Sequence, residues 1–381
     1  MVTIVILYTE LMPYNVIVIK ALVERGCRVH VVLWDLNKKT PYLPPQLEGV
    51  TYYNRSSFWD PDHLFRLVKR LEPDLLWTAG WIDPLYNEVA GKVRKKLHIP
   101  VVASSDTQWR GGMQWFNVLV SRFRHRRWFS HLFVSGEPQV SYAHKLGFRS
   151  EQILMHNLSA DVELFHSIDL KKVDKEYPRR LVFIGRFSKE KGLTYLLEAW
   201  KRIPDRQNWK LVLIGNGPDY PKLQGYPDVE IKDFMSQEEL AGELEKTGAF
   251  ILPSVTEPWA LVIHEAACAG LPVLASACCG AVSCFVKDGE NGFLFKPANK
   301  RSTRKAIERF IHLPELQWIQ MGRKSRELSD RITPSKVFGG AALGSPDRRR
   351  PSNGYSFPDC IAGCSFIGTD KGHTLFLSYS G

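Results

Sequence analysis

The sequence predicts an α/β protein built of two doubly wound parallel sheets in series. Three observations carry this. Short apolar runs alternate with helix-like segments from the first residues to about Met155. A polar stretch without clear periodicity, HNLSADVELFHSIDLKKVDKEYPRR, then interrupts the alternation, which restarts at Leu181. Late in the second series stands SVTEPWALVIHEAACAGLPVLAS, Ser254–Ser276, which reads as loop, helix, tight turn and strand. The 381 residues suffice for two cores of ordinary size. The expected division is a first domain over residues 1–165, a linker over 166–178, a second domain over 179–330 and an atypical tail over 331–381.

In the first half, VTIVILY, CRVHVVLW, DLLWTAG, IPVVASS, HLFVSG and QILM are strand-like. Tyr14–Arg25, His63–Leu71, Asp83–Leu97 and GEPQVSYAHKLGF have helical spacing between them. Ligands of such sheets sit beyond the carboxyl ends of the strands, which directs attention to Tyr8–Tyr14, Ala79–Asp83 and Ser104–Gly112. In the last of these, SSDTQWRGG, Asp106 either orients a sugar hydroxyl or is a turn aspartate bonding its own backbone. Next comes QWFNVLVSRFRHRRWF, where Phe116, Leu119, Val120 and Phe123 recur at helical spacing. Arg122, Arg124, Arg126, Arg127 and Trp128 crowd its end. Either this segment lies on an anionic membrane surface, or its apolar stripe is core and its arginines are merely solvated.

In the second half, LVFIGRF, WKLVLIGNG, Val229–Lys232, AFILPS, LPVLAS and GFLF are strand-like. GLTYLLEAWKRI, SQEELAGELEKT, Arg301–His312 and Glu315–Ser329 are helical. Pro258 fits the first turn of a helix running through Trp259–Ala269, apolar almost all round and therefore buried. Glu257 precedes it and Glu265 lies inside it. A helix start offers unpaired N–H groups and a positive dipole end to a phosphate. Two carboxylates beside such an anion seat suggest a nucleotide-sugar; the bland alternative is a capping loop charge and a core ion pair. GRFSKEKG adds Arg186 and Lys191 beside another helix start, two cations suited to a diphosphate leaving group. It lacks P-loop spacing, and IGNG is too short for a dinucleotide fingerprint.

The net charge of +11 favours an anionic partner, but no nucleic-acid motif accompanies it. Seven scattered cysteines without zinc-type pairs read as reduced thiols. The N-terminus lacks a basic leader and a cleavage site, and no apolar run is long enough to span a bilayer. The expected location is cytoplasmic, with peripheral attachment to the membrane face if the arginine segment serves it.

From Leu181 to Pro297, GRFSKEKG, LVLIGNGP, FILPSVTEPWALVIHEAACAGLPVLAS and GENGFLF, in that order, resemble the retaining glycosyltransferases of the group 1 family. The resemblance implies two facing Rossmann-like domains, the GT-B fold. It implies transfer of a sugar from a UDP- or GDP-sugar to a hydroxyl of a glycan or lipid-linked glycan. It places Arg186 and Lys191 on the donor diphosphate and Glu265 on the ribose hydroxyls. Glu257, Ala260, Leu261 and Val262 fall near the sugar and phosphates, and Asn216 and Phe234–Met235 near the base. Glu257 and Asp106 would orient the reacting groups. No metal or other cofactor is expected, because Arg186, Lys191 and the helix dipole supply the positive charge. The chain has Ala260 where the family usually has glycine, Asp106 in a neighbourhood where the family often has a histidine, and TELMPYNV in place of a glycine-rich loop. An epimerase or hydrolase on the same plan, or a binding subunit without activity, are the alternatives.

RITPSK begins like a helix capped by Thr333, but VFGGAALGSPDRRRPSNGYSFPD follows with no apolar face. This predicts an irregular segment from about Val337, either a replacement of the native end or an extension, with domains less firmly tied than the family plan implies.

Overall fold

A computed structural model describes residues 1–35, 44–170, 177–223, 225–226 and 228–337. The apolar runs form strands covered on both faces by helices, which is why they are continuous rather than alternating. The first sheet contains β1 (Thr3–Tyr8), β2 (Arg28–Leu33), β3 (Val50–Asn54), β4 (Leu75–Thr78), β5 (Val101–Ser105), β6 (His131–Val134) and β7 (Ile153–Met155). Its order is β3-β2-β1-β4-β5-β6-β7. The second contains β8 (Arg180–Ile184), β9 (Lys210–Ile214), β10 (Val229–Lys232), β11 (Ala249–Leu252), β12 (Val273–Ser276) and β13 (Gly292–Phe295), ordered β10-β9-β8-β11-β12-β13. Every pairing in both sheets is parallel. In both, the order reverses beside the first strand, so each sheet has a switch point where a crevice opens.

Side-chain caps fix the helix starts. Asp60 accepts from the His63 amide at 2.7 Å and Asp83 from the Leu85 amide at 2.8 Å, each followed by proline at the first helical position. Ser236 and Glu239 form the expected capping box.

Three readings need correction. β3 is an edge strand, half-exposed along its length, so it lacks the continuous apolar run that betrays its neighbours. The polar stretch between the domains holds a helix, Val162–His166, capped by Asp161; five residues are too few to display a period. The helix of the central segment begins at Leu261 rather than Pro258, because Ala260 adopts left-handed φ 78° and ψ 71° immediately before it.

The chain crosses back to the first domain after Ser329. Thr333 accepts from the Lys336 and Val337 amides in a single turn, the Arg25 guanidinium donates to the Ser335 carbonyl, and Val337 is buried in the first domain's core. This contact joins the domains just before the point where the irregular segment was expected to begin; that segment beyond Val337 lies outside the described residues. No described helix is long and apolar enough to cross a membrane.

Candidate active site

Two loops of the second domain meet beneath the crevice. After β8 the chain passes Arg186, exposed, and Phe187, whose amide donates to the Asn216 carbonyl at 2.8 Å. A short turn, Lys189–Lys191, then ends at Gly192. Gly192 is left-handed at φ 68°, and a Cβ there would lie 2.2 Å from the Pro253 carbonyl oxygen, so only glycine lets the loops approach. The Val255 amide donates to the Glu190 carbonyl at 2.8 Å, locking the second loop to the first.

This contact brings together two predicted residues. The Lys191 ammonium pairs with Glu257 Oε2, and Ser254 Oγ donates to the same oxygen at 3.2 Å. Both charged side chains are largely buried, 20% and 10% exposed, so the pair is only weakly screened. The Glu257 backbone forms an isolated parallel bridge with Cys279 on the loop after β12. Beyond Glu257 come Pro258, Trp259 and the left-handed Ala260, a conformation that costs an L-residue with a Cβ about 1–2 kcal/mol. That turn presents the start of helix Leu261–Cys268, whose first N–H groups have no partner within the helix. Leu261 and Val262 are half-buried at this start.

Glu265 lies one turn in and is 8% exposed. Gln237 Nε2 donates to its Oε1 at 3.0 Å, but burial dominates and pushes the carboxyl up to about 7. Its neighbour His264 is fully buried. The Ala160 amide donates to Nδ1 at 3.0 Å, so the proton sits on Nε2, which faces the Ser329 carbonyl at 3.0 Å. Burial lowers its pKa to about 4, against the opposing pull of the Ser329 hydrogen bond. His264 therefore stitches the polar stretch at Ala160 and the last helix to the floor of the site.

The first domain reaches the same place through amides that the sequence did not disclose. Gln108 Nε2 and Gln139 Nε2 donate to the Pro258 carbonyl at 2.8 Å and 2.7 Å. Gln139 Nε2 also reaches the Asp106 carbonyl at 3.1 Å, which sets the exposed Asp106 at the end of β5 beside the loop that carries Glu257. A Cβ on Gly280 would lie 2.2 Å from the Pro258 carbonyl and 2.9 Å from Gln108 Nε2, so this junction also depends on glycine. Gln108 was visible inside SSDTQWRGG, but no local signal marks an amide whose partner lies 150 residues away. Gln237, whose partner Glu265 lies 28 residues away, was missed for the same reason, whereas Ser254 stands three residues from its partner Glu257 and was missed because a loop serine carries no signal of its own.

Other predicted residues sit at the rim. Asn216 is exposed, its Oδ1 accepting from the Gly217 amide at 2.7 Å, and Met235 is half-buried against the core beside the exposed Phe234. Arg122, Arg124, Arg126 and Arg127 lie outside the crevice, all exposed, with Trp128 half-buried. Among the described residues no three His, Cys, Asp or Glu side chains gather as a metal site.

Comparison with known proteins agrees with this geometry. Residues 164–326 match the family of glycosyl transferases group 1. An uncharacterized glycosyltransferase of Haemophilus influenzae is 32% identical over 176 residues, 44% of this chain and 49% of its own. The sulfoquinovosyl transferase SQD2 of Arabidopsis thaliana is 25% identical over 289 residues, 69% of this chain and 54% of its own. The chain thus spans about half the length of these curated relatives. HepE of Anabaena in complex with UDP-glucose superposes with a TM-score of 0.68 at 17% identity, covering 90% of this chain and 98% of its own. Sucrose-phosphate synthase from Thermosynechococcus elongatus gives 0.66 at 18%, covering 87% and 95%. With the pattern of the group 1 glycosyl transferases in its second domain and both sheets in the matching arrangement, the chain resembles that family over residues 164–326 and has the GT-B fold.

Proposed function

We propose that the protein is a retaining glycosyltransferase that moves a sugar from a UDP- or GDP-sugar to a hydroxyl of a glycan or lipid-linked glycan. The observation that carries this reading is the buried Lys191–Glu257 pair, set beside the unpaired N–H groups that open helix Leu261–Cys268. A cation, a dipole end and a carboxylate at one point suit a sugar diphosphate better than any neutral ligand. The UDP-glucose bound by HepE is the kind of donor such a site would take.

In this reading Arg186, Lys191 and the helix start hold the diphosphate and stabilise the charge that grows as the sugar–phosphate bond breaks. Glu265 accepts from the ribose hydroxyls, Leu261 and Val262 donate backbone N–H groups, and Asn216 and Met235 border the base. The acceptor oxygen attacks from the face the diphosphate leaves, forming the new glycosidic bond with retained configuration. Its proton passes to the departing phosphate oxygen. Glu257 and Asp106, on loops joined by the Gln139 amide, orient the sugar and the acceptor. No metal is required, because Lys191 and Arg186 provide the positive charge.

The test is thermal melting with a panel of nucleotide-sugars, followed by determination of the product's anomeric configuration. A true donor at 100 times its dissociation constant adds about 2.7 kcal/mol to stability. Free sugar or an isomer formed without acceptor would replace transfer by hydrolysis or epimerisation. Binding without turnover across acceptors would leave only a binding subunit.

A further inference from the structure

We propose that the face formed by helix Gln114–Ser121 and the arginine-rich turn after it docks on the surface of an anionic lipid bilayer. Of the twelve large hydrophobic side chains exposed among the described residues, five fall between positions 113 and 123: Met113 at 93%, Trp115 at 59%, Phe116 at 63%, Leu119 at 75% and Phe123 at 75%. The spacing of Met113, Phe116, Leu119 and Phe123 is three, three and four, which puts them on one side. The helix is held from behind, by Ser121 Oγ donating to the Leu146 carbonyl at 2.7 Å and by Val118 against the first domain's core. Its apolar side therefore covers nothing in this chain's described residues. Contiguous exposure of this kind marks an interaction surface.

Charge selects the occupant. Between Asp106 and Glu137 the sequence has no acidic residue, whereas Arg110, Arg122, Arg124, Arg126 and Arg127 all lie in that interval. Lys145 adds its ammonium over the Trp109 and Trp115 rings at 4.8 Å and 5.5 Å. An apolar ridge on a segment whose charges are all positive fits the boundary between acyl chains and acidic headgroups. The turn is also braced for contact: Arg126 donates to the Gly147 carbonyl at 2.7 Å, and Arg124 stacks on Trp128 at 5.3 Å. Gln114 Nε2 donates to the Gln108 carbonyl at 2.8 Å, and Gln108 in turn holds Pro258. Docking by this face would thus bring the crevice within one loop of the lipid surface. The inference stands on the first domain alone and survives whatever the donor site proves to bind.

The experiment is co-sedimentation of the full chain with phosphatidylcholine vesicles lacking or containing phosphatidylglycerol, at low and high salt. The protein should pellet with the anionic vesicles and be released by salt. Arg122→Gln with Arg127→Gln should weaken partitioning roughly 25-fold, about fivefold per arginine. Leu119→Asp with Phe123→Ser should abolish it, and all variants should melt like the parent because the replaced side chains are exposed. Equal retention on neutral and anionic vesicles, or variants that bind undiminished, would overturn the proposal. So would self-association without vesicles that Leu119→Asp removes, since a second copy would then be the occupant.

Discussion

Helices Gln114–Ser121 and Leu261–Cys268 have the same length and similarly apolar sequences, yet the first buries one of its eight residues and the second buries six. The difference lies in what each lies against. Leu261–Cys268 follows β11, a central strand of the second sheet, and packs against the last helix, Glu315–Ser329. Gln114–Ser121 hangs on the rim of the first sheet, attached by Ser121 and Val118. Apolar periodicity defines a face; it does not say what covers that face. In the proposed function the two helices would serve opposite ends of one task, a rigid donor seat and an open outer surface.

The comparison breaks most visibly under truncation. Ile263→Ala should cost about 2–5 kcal/mol, since Ile263 is fully buried at the heart of the second core. Leu119→Ala, on a side chain 75% exposed, should stay within about 0.5 kcal/mol. Denaturant titration of both variants measures the contrast. Comparable losses would mean that the outer helix is covered in solution.

A second contrast sits inside the buried helix. Glu265 is raised to about 7, so between 4.5 and 7 the folded protein binds a proton that the unfolded chain has released. Stability from this group is thus greatest below about 4.5 and is lost as pH rises to 7. His264 is lowered to about 4, so its contribution runs the other way, present above 6.5 and lost as pH falls towards 4. Adjacent residues thus oppose each other over nearly the same window. Glu265→Gln removes one side of that balance while keeping an acceptor for Gln237. It should match the parent near pH 4.5 and exceed its stability by roughly 3 kcal/mol above pH 7, at about 1.36 kcal/mol per pH unit. Donor affinity should fall in the same variant. A stability difference that is constant across pH would remove Glu265 as its source.

Much of this was legible in the residues, and the rest was not for identifiable reasons. Strands buried on both faces announce themselves as apolar runs and were readable; of the half-exposed edge strands, β7 and β10 were read from the alternation and β3, whose sequence VTYYN offers no apolar run, was not. Glu257 and Glu265 were found because charge in apolar surroundings needs an explanation, and Lys191 because it stands with Arg186 beside a helix start. Gln108, Gln139 and Gln237 were not, since a neutral amide is unremarkable until its distant partner is known. The left-handed turn at Ala260 ran against residue preference, which pointed to a helix starting at Pro258.

Smaller in effect is Lys191→Ala. It removes a charge-assisted contact to the proposed diphosphate and leaves Glu257 facing only Ser254. A loss of about 1.5–3 kcal/mol in transition-state stabilisation is expected, read as kcat/KM. The conservative Lys191→Arg should recover part of it if charge is what matters. An unchanged kcat/KM for Lys191→Ala would detach this pair from the reaction.

The smallest change concerns Ala260, the residue that separates this helix start from the glycine expected by resemblance. Replacing Ala260 with glycine removes the left-handed strain of about 1–2 kcal/mol. Against that stand about 0.4–1 kcal/mol of added freedom in the unfolded chain and about 0.8 kcal/mol for a lost buried methyl, since Ala260 is 8% exposed and part of the core. The contributions nearly cancel, so Ala260→Gly should melt within about 0.5 kcal/mol of the parent. Its effect should appear in binding: without the Cβ, backbone at Leu261 and Val262 can approach the donor more closely, and the dissociation constant for the nucleotide-sugar should fall. Titration calorimetry with the donor identified by melting decides the matter. An unaltered dissociation constant with unaltered stability would mean that the methyl faces away from the donor, and that the left-handed turn matters for aiming the helix rather than for space around the sugar.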